Sequence, residues 1–459
     1  MGPPRRRLTG LLRHLSGPAP PHPTSAAGAG ELFVNPRWAQ AEAEFSRSAH
    51  TAAISREDVA AARAEVESWQ GYEPTPLLPV DLAERLGVAS VHCKHEGYRF
   101  QPVGSFKPTG VVYGLARVLL SELQGQLPAG AADGAASAAA VLLGGGAEAA
   151  GLLAQVTVCA ATSGNHGRAL AWGAQLFGCR CVIYMGEGVS QSRQTAIESF
   201  GAEVVRVGGS YDDVVAKSES DAAEHGYFVI SNVAYPGVDV PNLIMHGYAC
   251  TGDEIATQLG EGDPPTHVFI CGGGGRFGAG VATALWQRYG AARPKCVMVE
   301  PIASAALQAS AKQGEPVAVE PGASLMDGLV VESASKIGYP VLHDAAFAFL
   351  SVPDTAAVDA MQLLAGLPQP IPVGETGIAG WAGLCHAAAD PSSTASRSTW
   401  SALARSNRKS ISASSARTPR RSAGFESSSA SGADGASGGS ALGKKRLSSA
   451  ALARWVSET

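Results

Sequence analysis

The sequence lacks the features of a disulfide-stapled, zinc-binding or membrane-spanning protein. Its 459 residues include only 8 cysteines, and the two nearest in sequence are Cys179 and Cys181. No CxxC pair and no cysteine–histidine cluster at zinc spacing occurs, so we expect buried thiols, a reducing compartment and no metal site. No run of about 18 residues is apolar enough to cross a bilayer, which argues against a membrane protein.

The central part of the chain also has little positive charge. Residues 1–30 carry four arginines and no acid, and residues 391–459 carry 11 Lys and Arg against three acids. Because the whole chain has a net charge of −5, residues 31–390 carry −17. An acidic body does not attract polyanions through its overall field, so we expect no nucleic-acid partner for it.

Composition separates a globular body from two tails. Residues 1–30 are rich in Arg, Pro, Ser and Ala, which is typical of an organellar targeting peptide or of a disordered tail. The expected location is accordingly the cytoplasm or, with a transit peptide, an organelle matrix. Residues 391–459 are rich in Ser and Arg and predict a disordered tail, either native or produced by a shifted reading frame after about Asp390.

Short apolar runs alternate with amphipathic segments from residue 156 to residue 350, which predicts an α/β fold. Buried strands are expected at VTVCAA, CVIYMG, EVVRVG, YFVISN, HVFICG and CVMVEP, with helices between them. Ser55 and the acids after it predict a capped helix that runs through Glu67. The Gly/Ala-rich stretch within residues 119–155 predicts a surface loop or a loosely packed helix.

The first candidate site residue is Lys107. It follows Phe106 in a segment punctuated by Gly104 and Gly110. A lysine amine forms Schiff bases with carbonyl groups when desolvation or a nearby cation lowers its pKa. The structural alternative is an ordinary surface lysine at the start of a helix.

The second candidate is Thr162-Ser-Gly-Asn-His166, between a predicted strand and a predicted helix. Its hydroxyls, its Asn165 amide and its backbone N–H groups suit a carboxylate or phosphate at a helix N-terminus. The alternative is an ordinary capped helix, since Ser, Thr and Asn are the usual caps. His166 alone favours a structural hydrogen bond over catalysis.

The third candidate is the glycine run Gly272–Gly275, which allows backbone N–H groups to approach a phosphate. Together with Gly278, and with Glu300 after the next strand, it also satisfies a dinucleotide-binding pattern, although Glu300 lies beyond the usual spacing. A reactive lysine, a carboxylate site and a phosphate loop in this order together predict pyridoxal 5′-phosphate with an amino-acid substrate.

These motifs make the sequence similar to the fold-type-II (tryptophan-synthase-β-like) family of pyridoxal-phosphate enzymes, and within it most similar to the diaminopropionate ammonia-lyases. The resemblance extends over about residues 32–390. It is carried by GYEPTPL (71–77), RF…GSFK (99–107), SGNHGRALAWGAQ (163–175), VIYMGEGVSQSR (182–193), GAEVVRVGGSYDDVV (201–215), IMHGYACTGDE (244–254) and GETGIAG (374–380).

The resemblance implies a two-lobed architecture in which each lobe is a mostly parallel sheet flanked by helices. Residues 31–119 and 259–390 would form the large cofactor-binding lobe, and residues 120–258 a small mobile substrate lobe. Related enzymes are commonly homodimers, so a homodimer is expected.

The resemblance also implies roles for individual residues. Lys107 would form the internal aldimine and act as a catalytic residue together with Ser163. The implied cofactor-binding residues are Phe106, Lys107, Asn165, Gly272, Gly273, Gly274, Gly275 and Glu375. The implied substrate-binding residues are Thr162, Ser163, Gly164, Asn165 and His166.

The expected reaction is α,β-elimination of 2,3-diaminopropionate to pyruvate and ammonia through an aminoacrylate. Two departures from the ammonia-lyases, Ser163 and Asn232 where those enzymes carry acids, leave open a serine/threonine ammonia-lyase or an amino-acid racemase. The stretch after Asp390 lacks the family's final strand, so a non-catalytic remnant is a further alternative. An NAD-dependent oxidoreductase is the most distant one, because it would leave Lys107 without a role.

Overall fold

The computed structural model describes residues 30–43, 53–128, 137–162, 164–231, 234–260 and 264–389. The predictions for residues 1–29, for residues 391–459, for Ser163 and for Asn232 therefore lie outside the described residues.

Two four-stranded sheets form the framework. The strands are β1 (Glu31–Val34), β2 (Leu77–Pro79), β3 (His92–Lys94), β4 (Thr157–Ala161), β5 (Arg180–Gly186), β6 (Glu203–Val207), β7 (Phe228–Val229), β8 (His267–Cys271), β9 (Lys295–Pro301) and β10 (Ala346–Val352). One sheet has the order β6-β5-β4-β7 and is parallel throughout. The other has the order β1-β10-β9-β8, in which only β1 is antiparallel to its neighbour. A hairpin pairs β2 with β3.

Helices flank both sheets, as the alternation of strands and helices predicts. They are α1 (Arg37–Ala43), α2 (Arg56–Glu67), α3 (Ala83–Leu86), α4 (Lys107–Leu123), α5 (Ala138–Gly144), α6 (Gly146–Leu153), α7 (Asn165–Phe177), α8 (Gln191–Glu198), α9 (Tyr211–His225), α10 (Val240–Leu259), α11 (Arg276–Tyr289), α12 (Ala306–Gln313), α13 (Gly338–Ala345), α14 (Asp354–Ala365) and α15 (Ala379–Ala389). Over the described ranges, no helix is long and apolar enough to span a membrane.

Each sheet is covered on both faces because its strands alternate side chains between two cores. In β4, Val158 and Ala160 pack into one hydrophobic cluster, whereas Cys159 and Ala161 pack into another on the opposite face. Such double burial is what the short apolar runs predict for parallel strands. The predicted α/β class is confirmed, and β7 is shorter than its apolar run suggests.

The predicted start and end of α2 are confirmed. Ser55 caps the helix, the Asp58 side chain accepts from the Ser55 N–H in return, and the helix ends at Glu67. The prediction of a loop or loose helix for the Gly/Ala-rich stretch needs correction over its described part. There, α5 and α6 bury Ala138, Leu142 and Leu153 in the core beside α4 and α7, because small side chains allow close helix packing.

Close helix crossings hold α4, α10 and α11 together. A Cβ atom at Gly247 of α10 would overlap the Thr109 carbonyl of α4. One at Gly280 of α11 would lie 2.7 Å from the Met245 carbonyl oxygen of α10. Glycine at these positions lets the backbones approach this closely, so the starts of α4 and α11 are placed by packing.

A buried cluster of charges, here called the Arg99 cluster, ties the segment before α4 to α10. Its members are Tyr72, Thr75, Lys94, Glu96, Arg99 and Glu254. Arg99 donates to Glu254 at 2.5 Å and to Glu96 at 2.9 Å, and Lys94 donates to Glu254 at 2.6 Å. Both the Arg99 and Glu254 side chains are at most 1% exposed. Both cations of the cluster, Lys94 and Arg99, therefore have a carboxylate partner.

Candidate active site

A cleft opens where β4 and β8 end. The loop after β4 leads into α7, the glycine loop after β8 leads into α11, and both loops line the cleft together with the start of α4. The carboxyl ends of parallel strands are the usual ligand-binding edge of α/β sheets, because loops and helix N-termini converge there. The topology thus brings the glycine loop together with two motifs that precede it by more than 100 positions.

Lys107 is the first residue of α4, and its amine lies beside two aromatic rings. Its amine is 5.1 Å from the centre of the Phe106 ring and 5.7 Å from that of Tyr248. Phe106 in turn stacks on Phe277 at 3.8 Å between ring centres. Among the described residues, no hydrogen bond or ion pair joins this amine to an acceptor. The rings hold the amine in a semi-apolar setting while leaving it available for chemistry.

Hydrogen bonds join the loop after β4 to strand β5 and to the residue that follows β7. The Thr162 N–H donates to the Tyr184 carbonyl at 2.9 Å, and the Thr162 hydroxyl accepts from the Gly164 N–H at 3.4 Å. Nε2 of His166 is 2.7 Å from the Ile230 carbonyl oxygen, so it is the donor. Burial, followed by the nearby Lys107 ammonium, lowers the pKa of His166 to about 3. His166 is therefore a neutral, structural histidine.

The glycine loop adopts backbone conformations that favour glycine. Gly273 and Gly275 have φ angles of 57° and 93°, and a Cβ atom at Gly275 would come within 2.9 Å of methyl groups of Leu307 and Leu342. The N-cap of α11 is Gly275, which has no side chain, and no side-chain cap is found there among the described residues. Its first-turn N–H groups, which have no partner within the helix, are thus free to bind an anion.

Glu300 does not have the role that a dinucleotide site requires. Its carboxylate accepts the backbone N–H groups of Leu307 and Gln308, at 2.8 and 2.9 Å, and caps the start of α12. The residue is fully buried, and burial raises the pKa of its carboxyl to about 8. A ribose could not reach this acid. The structure therefore argues against an NAD-dependent oxidoreductase, which would need Glu300 to bind the ribose.

Ion pairs connect the two sides of the cleft. Arg193 of α8 donates to Asp327 at 2.7 Å and to Glu375 at 3.3 Å. Arg193 belongs to the half of the chain with the sheet of β4–β7, whereas Asp327 and Glu375 lie on loops beside the other sheet. The three partly exposed side chains form a bridge between the two sheets' loops.

The predicted site residues converge, with one falling outside the described residues. Phe106, Lys107, Thr162, Gly164, Asn165, His166, Gly272, Gly273, Gly274, Gly275 and Glu375 all line the one cleft, while nothing is described for Ser163. Sequence reasoning missed Arg193, Tyr248, Arg276 and Phe277, which line it too. The sequence does contain a signal for two of these four, because Arg276 and Phe277 directly follow the glycine run.

Comparisons with known proteins agree with this geometry. Residues 68–400 match the family model described as pyridoxal-phosphate dependent enzyme. The chain is 31% identical over 354 residues to a diaminopropionate ammonia-lyase of Escherichia coli K12, covering 76% of this chain and 81% of the relative.

Crystal structures of the Escherichia coli diaminopropionate ammonia-lyase superpose on the chain. The complex with D-serine has a TM-score of 0.67 at 28% identity, covering 81% of this chain and 90% of that one. The complex with an aminoacrylate-PLP azomethine reaction intermediate has a TM-score of 0.65 at 28% identity, covering 83% and 90%.

The residues of the cleft fit pyridoxal phosphate. The N–H groups of Gly273 and Gly274 have no backbone acceptor within the described residues and can receive a phosphate, and the Lys107 amine lies in the same cleft. Nη1 of Arg276, the residue after the loop, is buried and has no hydrogen-bond partner among the described residues. A phosphate and an aldehyde on one small molecule would match these groups.

Proposed function

Since the chain belongs to the family of pyridoxal-phosphate-dependent enzymes, we propose that it is an ammonia-lyase. It converts 2,3-diaminopropionate and water to pyruvate and two molecules of ammonia. The observation that carries this proposal is the convergence of Lys107, the glycine loop and the loop after β4 in one cleft. The likeness to diaminopropionate ammonia-lyases supports the choice of substrate.

Lys107 is proposed to hold the cofactor and to move the proton. When bound, pyridoxal phosphate supplies an electron sink for the charge that develops at Cα of the substrate. The Lys107 amine takes the Cα proton as general base. Its surroundings suit this role, because the Phe106 and Tyr248 rings limit hydration of the amine and no described carboxylate neutralises it.

The two loops are proposed to bind the anionic groups. Backbone N–H groups of Gly273, of Gly274 and of the first turn of α11 are proposed to bind the phosphate. Those of Gly272 and Gly275 already donate to the Val299 and Gly272 carbonyls and help to shape the loop. Thr162, Gly164 and Asn165, with Ser163, receive the substrate carboxylate at the start of α7. His166 keeps this loop in place through its bond to the Ile230 carbonyl, and Glu375 is proposed to order the loop that faces the cofactor ring.

The leaving amine needs a proton, because ammonia departs readily only when the amine is protonated. Three sources are consistent with the cleft: the Ser163 hydroxyl, a proton relayed through the phosphate and the substrate's own second ammonium. His166 is not among them, because its lowered pKa keeps the ring neutral and its Nε2 proton is held by the Ile230 carbonyl.

The second candidate is a serine or threonine ammonia-lyase, or a racemase, on the same fold. It is supported by Ser163 and Asn232, at positions where the resemblance to the diaminopropionate ammonia-lyases implies acids. A hydroxyl and an amide attract a second ammonium less than two carboxylates would. This exchange would favour substrates whose β-substituent is a neutral hydroxyl.

We propose that residues 31–119 and 259–390 form a cofactor-binding lobe and that residues 120–258 form a substrate lobe.

We also propose a homodimer. Light scattering during size-exclusion chromatography would measure the molar mass of the assembly.

Product analysis separates the candidates. The purified chain, loaded with pyridoxal phosphate, is incubated with both isomers of 2,3-diaminopropionate, L-serine, L-threonine and D-serine. Two ammonia molecules per pyruvate, formed only from 2,3-diaminopropionate, are expected. Turnover of L-serine or L-threonine alone would favour the second candidate, and no turnover by a cofactor-loaded protein would contradict both.

A further inference from the structure

The residue that follows the glycine loop is an arginine with a buried, unpartnered nitrogen in the cleft. Arg276 is the first residue of α11 and lines the same cleft as Lys107 and His166. Its Nη1 atom is buried without a hydrogen-bond partner, and no ion pair joins its guanidinium to a carboxylate, among the described residues. Arg63, Arg99 and Arg193, in contrast, each have carboxylate partners.

The guanidinium of Arg276 is near enough to the loop after β4 for its charge to act on groups there. Besides burial and the Lys107 ammonium, the charge of Arg276 lowers the pKa of His166. Burial raises the pKa of Tyr211, and the charge of Arg276 offsets part of this rise. The Tyr211 hydroxyl donates to the Ala161 carbonyl at 3.2 Å. Both groups belong to the side of the cleft formed by the sheet of β4–β7, so Arg276 lies between the glycine loop and that side.

Two cations therefore converge on one imidazole without a carboxylate from the described residues. A guanidinium nitrogen that is buried without a partner is costly, and proteins normally pair such a group. A planar guanidinium with five N–H donors matches the oxygens of a phosphate or a carboxylate. A phosphate monoester, which carries close to two negative charges at neutral pH, would complement the guanidinium of Arg276.

We propose that Arg276 is an anion-binding residue of the cleft, with an oxyanion of the bound reactants as its ligand. The two sources of such an oxyanion are the cofactor phosphate and the substrate carboxylate. The phosphate is the expected one, because Arg276 directly follows the glycine loop. This inference rests on the proposed function and adds a side-chain contact to the backbone donors of the loop.

The test compares Arg276→Leu with Arg276→Lys and with Arg288→Leu, a matched change at an exposed residue in the last turn of the same helix. Circular dichroism first establishes that each cofactor-free variant is folded. Binding of inorganic phosphate is then measured by thermal shift, and binding of pyridoxal phosphate and of pyridoxal by equilibrium dialysis. The KM for 2,3-diaminopropionate is measured on the loaded enzymes.

We expect Arg276→Leu to weaken binding of inorganic phosphate and pyridoxal phosphate by about ten- to hundredfold, the usual range for a charged hydrogen bond. Binding of pyridoxal, which lacks the phosphate, should change little. Arg276→Lys should lose less, and Arg288→Leu should match the parent chain. An increase in KM alone, with phosphate binding unchanged, would identify the substrate carboxylate as the ligand.

Unchanged phosphate binding and unchanged KM in a folded Arg276→Leu variant would overturn the inference. That result would leave the proposed function intact as long as the parent chain binds pyridoxal phosphate and releases ammonia. Failure of the parent chain to bind the cofactor would instead contradict the proposed function itself.

Discussion

Two groups of cations, one in the Arg99 cluster and one in the cleft, differ in how they are neutralised. In the Arg99 cluster, Lys94 and Arg99 are buried and each donates to a carboxylate. Lys107 and Arg276, in the cleft, have no carboxylate partner among the described residues. A paired buried charge stabilises the position of chain segments, whereas an unpaired one is available for a ligand.

The pKa values reflect the same difference. Burial alone would raise the pKa of the Glu254 carboxyl, but hydrogen bonds and charge from Arg99 and Lys94 outweigh burial and hold this pKa below its ordinary value. In the cleft, Lys107 and Arg276 act on the neutral His166, which offers no negative charge in return. The first cluster is electrostatically complete, and the second is completed only by a bound anion.

The largest effect is expected from removing an unpaired cation. Lys107→Ala should lower the rate of pyruvate formation by at least about a thousandfold, because the general base and the point of cofactor attachment are lost together. The free energy of unfolding should change little, since the amine has no partner within the described residues. A variant that keeps more than a tenth of the parent rate would rule out Lys107 as the base.

Removing a charge from the Arg99 cluster should act on stability instead. Glu254→Gln leaves Arg99 and Lys94 without their main counter-charge, so we expect the free energy of unfolding in urea to fall by about 3 kcal/mol or more. Glu67→Gln, at a partly exposed ion pair with Arg63, is the matched control and should cost under about 1 kcal/mol. An equal loss of unfolding free energy in the two variants would mean that the Arg99 cluster stabilises the fold no more than an exposed ion pair does.

The neutral His166 predicts a dependence of stability on pH. Its pKa is about 3 in the folded chain and about 6.5 in an unfolded one. As pH falls below about 6.5, the unfolded state binds a proton that the native state does not, so stability is lost toward pH 3. His166→Asn should therefore show a shallower decline between pH 6.5 and pH 4 in urea unfolding. Identical slopes for both proteins would mean that His166 is protonated in the native state.

The smallest effect is expected at the mouth of the cleft. Arg193→Leu removes the ion pairs to Asp327 and Glu375, which are partly exposed and therefore weak. We expect a two- to tenfold rise in KM, of the order of 1 kcal/mol, with little change in unfolding. Lys217→Leu, which removes the exposed pair to Asp221 away from the cleft, should leave KM unchanged. A similar rise in both variants would exclude a specific role for Arg193.

Much of the framework could be predicted from the sequence, because the signals are local. The apolar runs of β4, β5, β8 and β9 and the Ser55–Asp58 capping box follow rules that involve neighbouring residues. The glycine loop is also recognisable, since its positive φ angles at Gly273 and Gly275 favour glycine. These features needed no knowledge of tertiary contacts.

The remaining features depend on contacts between distant segments. Arg193 meets Asp327 and Glu375 across 134 and 182 positions, and Arg99 meets Glu254 across 155. Glu300 fitted a dinucleotide pattern by its position, yet its carboxylate caps α12 inside the core. The crossing of helices such as α4, α10 and α11 decides which side chains line the cleft. The spacing of residues along the chain does not reveal how these helices cross.

The most direct test of the account is to locate the lysine that carries the cofactor. The purified chain is loaded with pyridoxal phosphate, its visible absorption is recorded, and the adduct is reduced with borohydride and mapped by peptide mass spectrometry. The account predicts a visible band that reduction removes, with the label on Lys107 and not on the paired Lys94. A folded protein without the band, or a label on Lys94 or another lysine, would contradict it.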